Sequence, residues 1–522
     1  MKIWIVSMEC AGISEAGGVK NVTLSLCKEL SLLKHDVTLF IPLFKCSNMQ
    51  FIKDVKEEES QNVFLCGKEE MVSYKRAFCK LGDFKIVFIC HSSFLEKEGV
   101  YTYTEKEQKI NPDFVKGQGH KDSLFMDTLF QKAVAEYAKN IVVTQRPEII
   151  HCQDAATAMI PAFIKYDSGL KDVKCVVTIH NAGPSYHHEF SSLGEAAWYT
   201  SLPSELLEKS LNNQKVEPFL LAACVSAKLT TVSEEYAREL TDEKNAGITD
   251  NLSRIFAEKK IQIRGITNGF DFERYNPSQT QKSKLPYSFD PESLDLYGKY
   301  KCRKYFMENV INASPCTFDG IKVYGSLEEI LPKEKNDELF VAYHGRLASQ
   351  KGVSVLAEII PSFIFNFPNI RFIVAGQGEC FLENALIELT KHFPGKLVFI
   401  NGYNQVVVRL VTAISDFIVL PSFFEPCGLE DFIGQCYGTL PIAHSTGGLT
   451  KISHLKTGYL YKSNSPESLS LMLSRAICTK EFAPELHFEM IKNAYKSVKY
   501  EFLWSNVIKN KYIPFFEEIL ST

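Results

Sequence analysis

The chain has 522 residues, with 58 lysines and arginines against 62 aspartates and glutamates, a formal charge of −4. Hydrophobic residues at 45% and charged ones at 23% fit a folded globular protein and exclude a disordered chain or a fibre. Near-neutral charge argues against nucleic-acid binding, which rests on a basic excess, and a single core stops growing at roughly 250–300 residues, so about two large domains are expected.

The chain opens on KIWIVSM (2–8), an apolar run broken at Glu9. It is too short for a signal peptide and far short of the ~20 residues of a membrane span, so it reads as a buried first strand. Fifteen scattered cysteines, none spaced CxxC, read as reduced thiols of a cytoplasmic protein. Further β-rich runs follow at 36–44, 85–90, 148–152, 173–181, 228–233 and 261–269, each succeeded by a helical pattern. Apolar runs without alternation fit strands covered on both faces, hence a doubly wound α/β domain over 1–275.

Residues 276–338, rich in Pro, Ser, Lys and Asp, read as a connecting region with one helical stretch at 297–310. Strand runs resume with LFVAYHG (339–345), IRFIVAG (370–376), LVFINGY (397–403), DFIVLPS (416–422) and TLPIAHS (439–445), predicting a second α/β domain over 339–504. A closing helix over 505–522 carries Phe515 and Phe516 after Trp504, apolar anchors able to dock it on either domain, with packing back on the N-terminal one as the assignment. In two open parallel sheets, ligands are expected at the carboxyl ends of the strands, in a cleft between the domains.

Residues just past strands therefore carry the chemistry. Gly17 and Gly18, in ECAGISEAGGVKNV (9–22), let a backbone approach a bulky ligand at a helix start, and also serve as a purely structural turn. Asp154 follows one strand, and His180 and Asn181 end another; all three are candidates to meet a polyhydroxylated ligand. Asn268 and Asp271, in ITNGFD, read equally as turn residues. Arg346 and Lys351, past 339–345, suit a departing diphosphate, Arg by fork-like hydrogen bonds and Lys as a point charge, and read equally as ordinary surface cations. Glu425 sits between a strand and a helix, where it serves sugar hydroxyls or caps the helix, and the N–H groups from Cys427 to Glu430 suit phosphate. Thr446, Gly447 and Gly448 repeat the glycine-pair device. His180, His187 and His188 invite a zinc site, yet no HExxH or thiolate pair accompanies them, and no metal is expected.

These segments converge on a family. The chain resembles bacterial glycogen synthases and plant starch synthases through the GG loop at 17–18, HCQDA (151–155), TIHN (178–181), TTVSEEYAREL (230–240), GITNGFDFERYNP (265–277), GRLASQKG (345–352), PSFFEPCGL (421–429), YGTLP (437–441) and TGGL (446–449). The resemblance runs nearly end to end. It implies two Rossmann-like domains facing a cleft (the GT-B fold) and transfer of glucose from ADP-glucose or UDP-glucose to the non-reducing end of an α-1,4-glucan with retention. It further implies that Arg346 and Lys351 bind the diphosphate, Glu425 contacts the glucose near the reacting centre, and His180 contacts the donor sugar. Asp154 and Asn268 would line the cleft, Tyr403 would stack on the base, and the backbone after Pro426 (Cys427, Gly428, Leu429) and the Gly17-Gly18 loop would hold phosphate and sugar from opposite sides, with Asn181, Thr446, Gly447 and Gly448 completing the substrate-binding set. No metal or cofactor, nucleic acid or membrane enters this picture. The alternatives are a relative with another acceptor and a glucan binder with impaired catalysis.

The chain departs from the family pattern at several positions. The family loop begins Lys-x-Gly-Gly-Leu with Asp three residues after the second Gly, where this chain has Glu15, Val19 and Asn21; Phe423 and His444 replace arginines. A glutamate beside a diphosphate repels it by about 1 kcal/mol when solvated, and Lys20 is the nearest candidate to restore the charge.

Overall fold

The computed structural model describes residues 1–313, 318–328 and 338–521. They form two compact units: residues 1–269 together with 504–521, and residues 270–503.

The first unit is built on a nine-stranded sheet. Its order is Ile263–Gly265, Lys228–Thr231, Lys174–Ile179, Ile149–Gln153, Lys2–Val6, Asp36–Pro42, Lys85–Cys90, Lys68–Cys79 and Ile52–Leu65. The first seven of these strands are parallel, and the last two add an antiparallel hairpin at the edge. Central strands such as KIWIV are buried nearly throughout because helices cover both faces. The chain starts at Lys2–Val6 and grows outward in both directions, so the strand order reverses between Lys2–Val6 and Ile149–Gln153. At such a switch point the loops leaving the carboxyl ends diverge and leave a crevice.

The second unit carries a seven-stranded sheet in the order Ile321–Leu327, Lys396–Gly402, Ile370–Gly376, Leu339–His344, Phe417–Leu420, Leu440–His444 and Tyr459–Tyr461. Only Ile321–Leu327, on the edge, is antiparallel. Its switch point falls between Leu339–His344 and Phe417–Leu420.

The boundaries differ from the expected ones. The second unit begins at Phe270, and the supposed connecting region is part of its body, apart from 314–317 and 329–337, which lie outside the described residues. The helix Tyr297–Phe306 buries Cys302 and Phe306 in the second core, while Arg303 meets Asp416 in a buried ion pair at 3.0 Å. Lys299 donates to the Tyr437 carbonyl at 3.0 Å and to Thr439 Oγ1 at 2.8 Å. Two of the charges that suggest a linker, Lys299 and Arg303, are therefore buried and partnered. The C-terminal segment belongs to the first unit, where Trp504, Tyr512, Phe515, Phe516 and Ile519 enter its core. Gly269 has to be glycine there, because a Cβ would lie 2.6 Å from the Trp504 ring. All cysteines among the described residues are free thiols, and no described helix is long and apolar enough to cross a membrane.

Candidate active site

In the first unit the crevice is lined from two strands. Glu9 follows Lys2–Val6, is 1% exposed, and accepts the N–H groups of Ala16 at 2.9 Å and Gly17 at 2.6 Å. This carboxylate shapes the glycine loop: a Cβ on Gly17 would sit 2.9 Å from Glu9 Oε1, whereas Gly18 has open space around it. Burial raises the pKa of Glu9 against the pull of those N–H groups and of Lys20. Glu15 pairs with Lys20 at 3.0 Å and accepts the Gly12 N–H at 2.7 Å. The loop therefore cancels the charge that its sequence puts in an unfavourable place.

Asp154 follows Ile149–Gln153 with φ +68°, a left-handed conformation that costs energy for a non-glycine residue and recurs at functional sites. Its N–H donates to the Thr178 carbonyl at 2.9 Å and its Oδ1 accepts the His180 N–H at 3.3 Å. Burial lifts its pKa to about 7, opposed by His188 and by the N–H groups of His180, Asn181 and Ala155. Beside it, burial pushes His180 down to about 3, so its imidazole is neutral, and its Nε2 lies 2.9 Å from Gln153 Oε1. Asn181 turns its Oδ1 to the Gly183 N–H at 2.8 Å. Tyr101 stays protonated, its pKa raised by burial and by the negative fields of Glu9, Asp154 and Asp127. Asn268 is half-buried at the end of the unit, its Oδ1 without a hydrogen-bond partner among the described residues.

His187 and His188 form ion pairs. His187 Nδ1 lies 2.7 Å from Glu217 Oε2, its Nε2 lies 2.9 Å from the Ala182 carbonyl, and both side chains are 1% exposed. Glu189 brings a third potential ligand atom within 4.8 Å, but it is held by Lys215 at 2.8 Å. A cation there would have to displace Lys215 and the His187 proton. His188 pairs with Asp127 at 2.6 Å. Burial opposes the charge on His187, yet Glu217 overcomes it and raises the pKa to about 9. This pair contributes stability in full below about pH 6.5, lost as pH rises through about 9. Thermal unfolding scans are expected to show a midpoint that falls across this window, and His187→Gln should flatten that slope.

In the second unit, Leu339–His344 leads through Gly345 to Arg346 and to the 3₁₀ turn Ser349–Lys351, while Phe417–Leu420 leads to Glu425. Lys351 Nζ meets Glu425 Oε2 at 2.5 Å, and the Ser422 hydroxyl donates to the same oxygen at 3.1 Å. Burial works against the lysine's charge, but Glu425 and Glu430 raise its pKa. Burial likewise opposes ionisation of Glu430, and Lys351 and His344 outweigh it. Arg346 is exposed and its guanidinium makes no ion pair among the described residues, leaving a free cation beside a paired one. The PSFFEPCGL and TGGL loops touch directly. The Gly448 N–H donates to the Glu425 carbonyl at 2.8 Å, and a Cβ on Gly448 would lie 2.2 Å from the Cys427 carbonyl oxygen. Gly428 and Gly447 take φ of +78° and +44°. The Thr446 hydroxyl faces the Phe423 carbonyl at 3.4 Å, Leu429 precedes the helix Glu430–Cys436, and Cys427 is half-buried. Phe423 is 50% exposed, and His444 sets its ring nitrogens 2.7 and 3.1 Å from the Ser422 and Lys462 carbonyls. Tyr403, just past Lys396–Gly402, is 64% exposed, as an aromatic free to receive a ring must be.

The structure thus gathers Gly17, Gly18, Asp154, His180 and Asn181 at one switch point, and Arg346, Lys351, Glu425 and the two glycine-containing loops at another. Sequence reasoning passed over Glu9, Asp127, Glu430, Asp431 and Lys451. Glu9 carried a signal, a carboxylate at the carboxyl end of the first strand; the others show only once the chain is folded.

Residues 2–308 match the sequence profile of the starch synthase catalytic domain, and residues 328–497 that of glycosyl transferases group 1. The chain belongs to the starch synthase catalytic domain family. The glycogen synthase of Thermodesulfovibrio yellowstonii is 28% identical over 547 aligned positions, covering 100% of this chain and 98% of that one. That of Lactobacillus acidophilus is 27% identical, covering 86% of this chain and 84% of its own. Among solved structures, the catalytic domain of starch synthase IV from Arabidopsis thaliana, bound to ADP and acarbose, superimposes with a TM-score of 0.78 at 21% identity, covering 100% of this chain and 99% of that one. The fold is GT-B, and this member of the family is a glycosyltransferase of the glycogen and starch synthase type.

Proposed function

We propose that the protein transfers glucose from ADP-glucose to the non-reducing end of an α-1,4-glucan, with retention of configuration and without a metal. The observation that carries this reading is the group at the second switch point: Lys351 held against Glu425, with Arg346 free beside them. A diphosphate leaving group needs charge compensation. Arg346 supplies a fork of donors, and Lys351 supplies a point charge that Glu425 holds in place until the donor shares it. Glu425, on the same loop as the phosphate-facing N–H groups, stabilises positive charge developing on the glucose ring. In the first unit, neutral His180 donates to or accepts from the donor sugar, and Asp154 with Asn181 and Asn268 meets sugar hydroxyls. Tyr403 stacks on the base.

One finding favours turnover over simple glucan binding, and a second favours the donor. Glu15 is neutralised by Lys20, so the glycine loop does not present a bare carboxylate to a phosphate. The starch synthase IV neighbour was solved with ADP, which favours ADP-glucose as the donor here. The deciding experiment offers labelled ADP-glucose and UDP-glucose separately with glycogen. Incorporation from ADP-glucose is expected at least tenfold faster and unchanged by EDTA. Preference for UDP-glucose would overturn the donor, loss of activity in EDTA the metal-free mechanism, and incorporation from neither the proposed glucan synthesis.

A further inference from the structure

Lys451 ends the 3₁₀ turn Gly447–Lys451, and its ammonium points inward, 5% exposed. It donates to the carbonyls of Cys427 at 2.5 Å, Gly428 at 3.2 Å and Gly448 at 3.0 Å, and lies 4.4 Å over the Phe432 ring. Asp431, its side chain 0% exposed, places Oδ1 2.9 Å from the same nitrogen. The ammonium thus meets three carbonyls and one carboxylate oxygen, and the other oxygen of Asp431 takes Gln435 Nε2 at 3.3 Å. Burial raises the Asp431 pKa to about 6 against the pull of Lys451.

Stability alone does not call for such a pair, since buried ion pairs are often matched or exceeded by apolar side chains of similar volume. What an apolar chain cannot supply is direction. In a trans peptide the C=O and N–H point opposite ways. Drawing the carbonyls of Cys427 and Gly428 onto one ammonium turns the N–H groups of Gly428 and Leu429 to the far side, and Leu429 N–H there meets Glu430 Oε2 at 3.1 Å. The third carbonyl ties in the neighbouring loop, whose Gly448 N–H holds the Glu425 backbone.

We propose that Lys451 is a positioning residue for the donor: by collecting three carbonyls of the two loops it aims the peptide N–H groups after Pro426 at the diphosphate, while Asp431 cancels its charge. This rests on the nucleotide-sugar reading above. Lys451 itself does not touch the donor.

The test uses the full chain. Lys451→Met/Asp431→Asn removes the staple without stranding a buried carboxylate and is expected to keep a near-native unfolding midpoint. Its calorimetric Kd for ADP and its KM for ADP-glucose should rise at least tenfold with the KM for glycogen unchanged, and Lys451→Arg should stay within about threefold of wild type. A folded double variant that binds ADP as wild type does would overturn the proposal. Independently of any variant, ADP should slow amide hydrogen exchange at Gly428 of the wild-type protein, the Leu429 N–H being already held by Glu430 Oε2. Binding of ADP without that protection would also overturn this proposal alone. A wild-type protein that binds neither ADP nor UDP would overturn the functional reading, and this one with it.

Discussion

Glu425→Gln and Lys351→Ala are each expected to lower kcat by roughly 10²–10³-fold, the loss typical when one preorganised electrostatic partner of a transition state is removed. The two side chains hold each other: Lys351 is 17% exposed and Glu425 12%, with the ammonium on Glu425 Oε2. Removing one leaves the other charge half-desolvated and free to move. The double variant should therefore lose much less than the product of the single losses, as for residues that act as a unit. Arg346→Ala should likewise lower kcat, because its fork compensates the charge of the departing diphosphate, but its loss should add to that of Lys351→Ala rather than overlap with it, since its guanidinium is exposed and makes no ion pair among the described residues. Steady-state kinetics with both substrates varied separates these cases. Wild-type kcat in Glu425→Gln would remove this carboxylate from the reacting centre.

Gly448→Ala is expected to cost about 1–3 kcal/mol of stability and at least a hundredfold in activity, more than its single added methyl suggests. The new Cβ would lie 2.2 Å from the Cys427 carbonyl oxygen and 2.3 Å from its Cα, both backbone atoms that cannot rotate away. The loops must part, breaking the hydrogen bond from Gly448 N–H to the Glu425 carbonyl and shifting the catalytic loop. Gly18→Ala is the contrast: nothing lies within 4 Å of its added Cβ and φ is −84°, so the unfolding midpoint should be unchanged. Thermal scans and glucose-transfer assays of the two variants measure both effects. Equal stability for Gly448→Ala and wild type would contradict the close approach of the two loops.

The parallel strands were legible because burial on both faces demands unbroken apolar runs, as in KIWIV and LFVAYH. The hairpin of Ile52–Leu65 and Lys68–Cys79 was not, because an edge hairpin is largely exposed and tolerates a run such as KEEESQ. The segment 276–338 misled for a related reason. Its lysines and arginines look like a solvated linker, but Lys299 and Arg303 are each 2% exposed and bonded to carbonyls, Thr439 and Asp416.

At the site, residues just past strand ends were readable, since topology alone places them at a switch point: Asp154, His180, Arg346, Lys351 and Glu425. Glu15 could be seen in the sequence but not judged. Its meaning depends on whether Lys20, five positions away, turns towards it, and the 3.0 Å pair answers that. Sequence by itself determined the fold class, the family and the strand ends at which the candidate residues lie, because periodicity and motifs are local. Tertiary structure alone decided which charges are spent on each other, as with Lys20 on Glu15 and Lys451 on Asp431, and which make no ion pair among the described residues, as with Arg346. The physical reason is that pairing of charges falls off within a few ångströms, a distance that chain separation does not encode.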